Sequence, residues 1–119
     1  MNIYYAHCQT IYGTEQEKRD VAVLKQLGGY VINPSDEEHQ TRMQTYENAM
    51  EYFMDLVKTC DILAFRGISP DGSLPAGVAK EVKTADQHQM PVIELPTFAG
   101  RRFMTVDQTR TYLCESGQR

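Results

Sequence analysis

Asp61-Ile62-Leu63-Ala64-Phe65-Arg66, followed after a turn-rich loop by Ser73-Leu74-Pro75-Ala76-Gly77-Val78-Ala79-Lys80-Glu81, reads as a buried strand feeding a helix with a carboxylate in its early turns. A short apolar run bounded by turn signals fits a strand of a parallel sheet. Pro75 suits the start of the helix, because the amide it lacks has no partner there anyway. In an open α/β sheet, ligands collect in the crevice at the carboxyl ends of the strands, where helix N-termini also point. Glu81 is therefore addressed to a crevice. A second apolar run, Ile3-Tyr4-Tyr5-Ala6, leads into the polar segment His7-Cys8-Gln9-Thr10. Two strand ends facing one crevice point to a small-molecule site.

Outward from these two stretches, strand and helix alternate without repeats or low-complexity linkers. Asn2 to His7 reads as a strand. Thr14 to Leu27 reads as a helix, with Glu15 and Glu17 in its first turn, Gly28-Gly29 after its end, and Val21, Leu24 and Leu27 facing inward. Tyr30-Val31-Ile32 is a short strand stopped by Asn33-Pro34. Ser35 is placed to cap a helix that becomes continuous by about Thr41 and ends near Cys60. Met43, Tyr46, Met50, Phe53, Met54 and Val57 form its inner stripe, read first as core and second as ligand lining or a dimer interface. Ser69-Pro70-Asp71-Gly72 is a turn, and the helix after Pro75 runs to about His88. Pro91-Val92-Ile93-Glu94-Leu95 is a strand, and a final helix is expected near Val106 to Cys114. Right-handed βαβ crossovers follow from this alternation. The expected architecture is a single α/β domain over residues 1–119: a small three-layer α/β/α arrangement with a four- to five-stranded, mainly parallel sheet, flavodoxin-like or Rossmann-like.

The 119-residue length suits one domain. A formal net charge of -4 argues against gripping a nucleic-acid polymer but is compatible with single nucleotides. No apolar run approaches the roughly 20 residues that cross a bilayer, and no basic-then-apolar leader opens the chain, so a cytoplasmic protein without membrane association is expected. Cys8, Cys60 and Cys114 lack paired spacing, and His7, His39 and His88 are scattered, so neither a disulfide framework nor a metal site is indicated. Walker, G-x-G-x-x-G and G-x-S-x-G motifs are absent.

Several residues carry possible chemistry, each with a structural alternative. Glu81 lies one helical turn after Gly77, where a missing side chain lets phosphate or ribose approach backbone amides. An ionised Glu81 can attack an anomeric carbon; alternatively it is a solvated helix glutamate beside Lys80 or Lys83. Tyr4 and Tyr5 point to opposite sides of their strand, so one phenol can reach the pocket. Arg66, at the end of an apolar strand, needs an anion: a ligand phosphate, or Asp71 or Glu81 in a structural pair. His7 can donate to phosphate, and Cys8 reads as a buried small residue rather than a nucleophile. Arg101 and Arg102 are loop charges able to cover a phosphate. Asp61 is assigned to the helix-to-strand turn.

Taken together, Ile3-Tyr4-Tyr5-Ala6, Cys60-Asp61-Ile62-Leu63-Ala64, Gly77-Val78-Ala79-Lys80-Glu81-Val82 and Pro91-Val92-Ile93 resemble the nucleoside 2-deoxyribosyltransferase superfamily. That superfamily includes 2'-deoxynucleoside 5'-phosphate N-hydrolases and phage-borne relatives. The resemblance spans most of residues 1–95. It implies that Glu81 is the nucleophile toward the deoxyribose C1' and that Tyr4 orients it. It further implies that the loop of His7, Cys8 and Thr10, with Gly77, contacts phosphate or ribose, and that a neighbouring chain of a homodimer or larger homo-oligomer closes each pocket; Arg66 and Ser73 join these as candidate phosphate or sugar contacts, and the mechanism needs no metal or organic cofactor. Where the family carries an aspartate before the third strand this chain has Phe53, with Asp55 on another part of the helix; His7 replaces a glycine and Val82 a small residue. Without that aspartate the departing base lacks an obvious proton donor. The competing expectation is a dimeric module that binds a nucleotide-derived signal without turning it over, as would suit a phage product directed against a defence messenger.

Overall fold

The computed structural model of the chain describes residues 1–68, 72–96 and 103–118. Four strands, β1 (Asn2–Ala6), β2 (Tyr30–Ile32), β3 (Ile62–Arg66) and β4 (Val92–Leu95), form one sheet in the order β2-β1-β3-β4. Every pairing is parallel, with Tyr4 opposite Ile32 on one side and Leu63 on the other. The chain reverses its direction of travel across the sheet between β1 and β3, which places the switch point, and the crevice that goes with it, above the ends of those strands.

The helices are α1 (Glu15–Gln26), α2 (Glu37–Met43), α3 (Ala49–Lys58), α4 (Ala76–Gln87) and α5 (Val106–Glu115), with a 3-10 turn over Gln9–Ile11. Alternation along β1 and β3 divides the interior in two. On one face Tyr4, Ala6 and Leu63 pack with Val57, Val78 and Ala85 of α3 and α4. On the other Ile3, Tyr5 and Ala64 pack with Leu24 of α1. These are the expected three layers. Thr14 caps α1 by accepting from the Glu17 amide, and Thr105 forms a reciprocal capping box with Gln108 at α5. At the end of β3, a Cβ on Gly67 would lie 2.5 Å from the Gly72 carbonyl oxygen, so only glycine permits this approach of the loop leading to α4.

The single helix expected from about Thr41 to Cys60 is two. Thr45 donates its hydroxyl to the Arg42 carbonyl at 2.8 Å, and Asn48 accepts from the Met50 amide at 3.0 Å to begin a new helix. Both are side-chain bonds that compete with helix continuation. Ser35 does not cap α2: its amide instead donates to Asn33 Oδ1 at 3.0 Å, and Asp36 occupies the N-cap position. The break exposes Tyr46 and turns Tyr52 into the core, where its hydroxyl meets His39 Nδ1 at 2.8 Å and ties α3 to α2. Leu27, expected to face inward, is 52% exposed because it lies past the end of α1 as its C-cap. Asp61 fills its expected turn role, accepting from the Asn2 amide at 2.7 Å.

Candidate functional site

The alternation of β1 sends Tyr4 toward α4, where the phenol donates to Glu81 Oε2. Tyr4 is fully buried and Glu81 is only 7% exposed. A carboxylate this deep has lost its hydration, and burial pushes its pKa up to about 7, with the Tyr4 hydrogen bond acting in the opposite direction. Burial, and then the Glu81 charge, hold the Tyr4 phenol well above its ordinary value, so Tyr4 keeps its proton and directs it at the carboxylate. Glu81 is thus poised between its two protonation states near neutrality, in a fixed orientation.

A cavity of about 300 Å³ stands over this pair at the carboxyl ends of the strands. That is at the small end of the range for ligand pockets. One wall comes from the segment after β1, with His7, Cys8, Gln9, Thr10 and Tyr12. Another is the start of α4, with Pro75, Gly77 and Val78, while Pro34, Met50 and Phe53 supply an apolar side. Pro75, at the N-cap of α4, provides no side-chain cap. The first-turn amides of α4 are therefore open to an oxygen-bearing ligand. Hydrogen bonds from the Thr10 side chain and backbone lower the Cys8 thiol pKa against the effect of burial.

Five of the residues singled out in the sequence, His7, Cys8, Thr10, Gly77 and Glu81, line this one cavity, with Tyr4 directly behind Glu81. His7 is not the free phosphate donor that was expected. Its Nδ1 meets the Tyr5 carbonyl at 3.0 Å and its Nε2 meets Glu17 at 2.8 Å, so both ring nitrogens are committed inside the protein. Arg66 is also corrected. It lies on the Tyr5 face of the sheet, away from the cavity, where Nη2 donates to Asp20 Oδ1 at 2.7 Å and Nη1 donates to the Pro96 carbonyl. The anion it requires is neither a ligand nor Glu81 but Asp20, which also accepts from the Tyr5 phenol. Ser73 stands in a bridge with Ile68 and is not among the cavity-lining residues. Asp71, Arg101 and Arg102 lie outside the described residues.

Three functional residues escaped the sequence reading. Tyr12 lines the cavity from the turn after the 3-10 segment; the signal was an aromatic just before Gly13, a glycine with φ +74° that turns the chain into α1. Glu17 secures His7, and burial, which would raise its pKa, is outweighed by hydrogen bonds from His7, Ser35 and the Gly13 amide. Asp20 precedes Leu24 by one helical turn on the inner face of α1, a spacing that puts an acid in the core and calls for a buried cation.

A second hollow, of about 290 Å³, lies on the outer side of α3 and α4 and includes Asp55 beside Thr84 and His88. Asp55 therefore faces away from Glu81, while Phe53 forms part of the cavity wall. Among the described residues, no group of three or more His, Cys, Asp or Glu side chains is placed to hold a metal ion, and no helix is long and apolar enough to cross a membrane. No protein-family model, curated protein or solved structure matches the chain.

Proposed function

We propose that the protein cleaves or exchanges the N-glycosidic bond of a deoxynucleoside or its 5'-monophosphate, with Glu81 as nucleophile. The observation that carries this reading is the buried Glu81 carboxylate, fixed by the Tyr4 phenol, at a cavity large enough for a sugar and part of a base. Ionised Glu81 attacks C1' as the bond to the base breaks, giving a glycosyl ester that water or a second base resolves. Tyr4 keeps the attacking oxygen aligned. The Gly77 and Val78 amides and the His7 to Thr10 turn receive sugar or phosphate oxygens, and Tyr12, Met50 and Phe53 receive the flat face of the base. The resemblance to the nucleoside 2-deoxyribosyltransferase superfamily supports the same roles for Glu81 and Tyr4. Exposed Met104, Val106 and Tyr112 leave apolar surface on and before α5, which supports assembly into a homodimer.

The test is incubation with each deoxynucleoside and each 5'-monophosphate, with chromatography of the free base. Intact substrate across the panel at high enzyme concentration removes the reading.

A second reading, a binding module that holds a nucleotide without turning it over, is favoured by one observation. Phe53 stands in the cavity wall where the resemblance would put an acid. It predicts tight binding by calorimetry, full recovery of the ligand, and affinity that survives Glu81→Gln.

A further inference from the structure

Tyr12 brings a phenol to the wall of the cavity. It lines the same hollow as Glu81, and no described residue is hydrogen-bonded to its hydroxyl. Its position, by contrast, is tightly set. The Tyr12 amide donates to the Gln9 carbonyl at 3.1 Å, and the chain turns at once through Gly13. The Gly13 amide donates to Glu17 Oε1 at 3.2 Å, while Glu17 Oε2 holds His7 at 2.8 Å. The His7 ring packs against the Tyr12 ring with centroids 4.9 Å apart. One carboxylate thus anchors both the backbone after Tyr12 and the imidazole beneath it, a preorganised mounting for a side chain whose hydroxyl no described residue engages.

Resting on the glycosidic-cleavage reading, we propose that Tyr12 is the acid–base partner of Glu81, protonating the departing base and then accepting the proton of the incoming water. In the first step a Glu81 oxygen forms a bond to C1', the C1'–N bond breaks with its electron pair going to the base, and the Tyr12 proton passes to the base. In the second, a water oxygen bonds to C1', the ester bond breaks with its pair returning to Glu81, and the water's proton restores the Tyr12 phenol. The sum is one nucleoside and one water converted to base and sugar, with both side chains regenerated.

The electrostatics run in step with this cycle. Burial first, then the charges of Glu81 and Glu17, raise the Tyr12 pKa to about 12. Before reaction the phenol therefore holds its proton. When Glu81 becomes a neutral ester its charge no longer opposes ionisation of Tyr12, so the phenol grows more acidic as the base acquires negative charge. When the carboxylate is released, the phenolate regains its basicity.

The experiment compares wild type and Tyr12→Phe on an ordinary purine deoxynucleoside and on its N7-methylated form, whose base departs uncharged without a proton. The Phe variant keeps the ring against His7, and its melting temperature checks the fold. General-acid catalysis of this kind is worth ~100-fold or more, so in a single turnover, where release of the base is read before water attack, Tyr12→Phe is expected to lose about that much rate on the ordinary substrate and only a few-fold on the methylated one. Equal losses on both, or no loss on either, overturn the assignment while leaving base release by Glu81 intact. Failure of wild type to release base from either substrate overturns it together with the reading on which it rests.

Discussion

The Tyr4 hydroxyl donates to the Glu81 carboxylate across 77 residues of sequence, joining β1 to α4 at the back of the cavity. The bond favours the ionised carboxylate while burial disfavours it, and burial dominates. The consequence is a reactive carboxylate that exchanges its proton near neutrality.

That balance sets a pH dependence. Only ionised Glu81 attacks carbon, so kcat/KM is expected to rise with pH through a midpoint near 7, where Glu81 loses its proton. Tyr4→Phe removes the one influence that lowers this pKa. The acidic limb of the profile should move to higher pH in that variant, with a reduced plateau. A limb in the ordinary carboxylate range in both proteins would show that Glu81 is not the group being titrated.

Stability carries the same signature with the opposite sense. The folded protein retains the Glu81 proton up to about pH 7 whereas the unfolded chain releases it near 4.5. Between those values the native state binds more protons, so stability falls as pH rises and the penalty persists above 7; a shift of this size corresponds to about 3 kcal/mol. Glu81→Gln keeps an acceptor for Tyr4 and removes the charge. Urea denaturation should find the variant close to wild type at pH 4 and more stable than wild type at pH 8.

Gly77 separates ligand space from folding space. A Cβ there would meet only the Met50 sulfur at 3.5 Å and its methyl at 4.0 Å, which is ordinary contact. Gly77→Ala should therefore fold with stability within about 1 kcal/mol of wild type, given helix propensity. The added methyl nonetheless stands over the α4 amides. Nucleotide binding measured by calorimetry is expected to weaken by tenfold or more; unchanged affinity would place the ligand elsewhere in the cavity.

How far the site was legible depended on whether a residue's partner was near in pattern or distant in the fold. The α/β topology addressed Glu81 to the crevice and alternation along β1 sent one of Tyr4 and Tyr5 toward it, but which phenol met the carboxylate came only from the family resemblance. The β-strands and three of the helix ends followed from apolar runs, Gly28-Gly29 and Pro75. Arg66 announced that it needed an anion, but the sequence offered Asp71 and Glu81 as near partners and Asp20, 46 residues away, did not compete until α1 was laid across the sheet. The break between α2 and α3 was hidden because the apolar spacing runs through it, while the bonds made by Thr45 and Asn48 that end one helix and start the next are local polar events. Tyr12 was missed because turn residues carry no periodicity.

The Asp20–Arg66 pair makes its own prediction. Both side chains are buried, and burial works against the guanidinium charge while Asp20 more than compensates, raising the Arg66 pKa. Asp20→Ala leaves that charge without its counter-ion and the Tyr5 phenol without its acceptor, and should cost about 3–5 kcal/mol in chemical denaturation. Residual folded protein should bind ligand with wild-type affinity, since Arg66 does not reach the cavity. A selective loss of binding without loss of stability would return Arg66 to the site.

The most direct measurement is a covalent one: the protein is quenched in acid during turnover of a deoxynucleoside, digested, and its peptides weighed. The expected result is one deoxyribosyl unit esterified to Glu81, present in wild type, enriched in Tyr12→Phe with an N7-methylated substrate because water attack is then the slower step, and missing from Glu81→Gln. Base release at equal rates from wild type and Glu81→Gln, with no adduct on either, would contradict the claim that this buried carboxylate is the nucleophile.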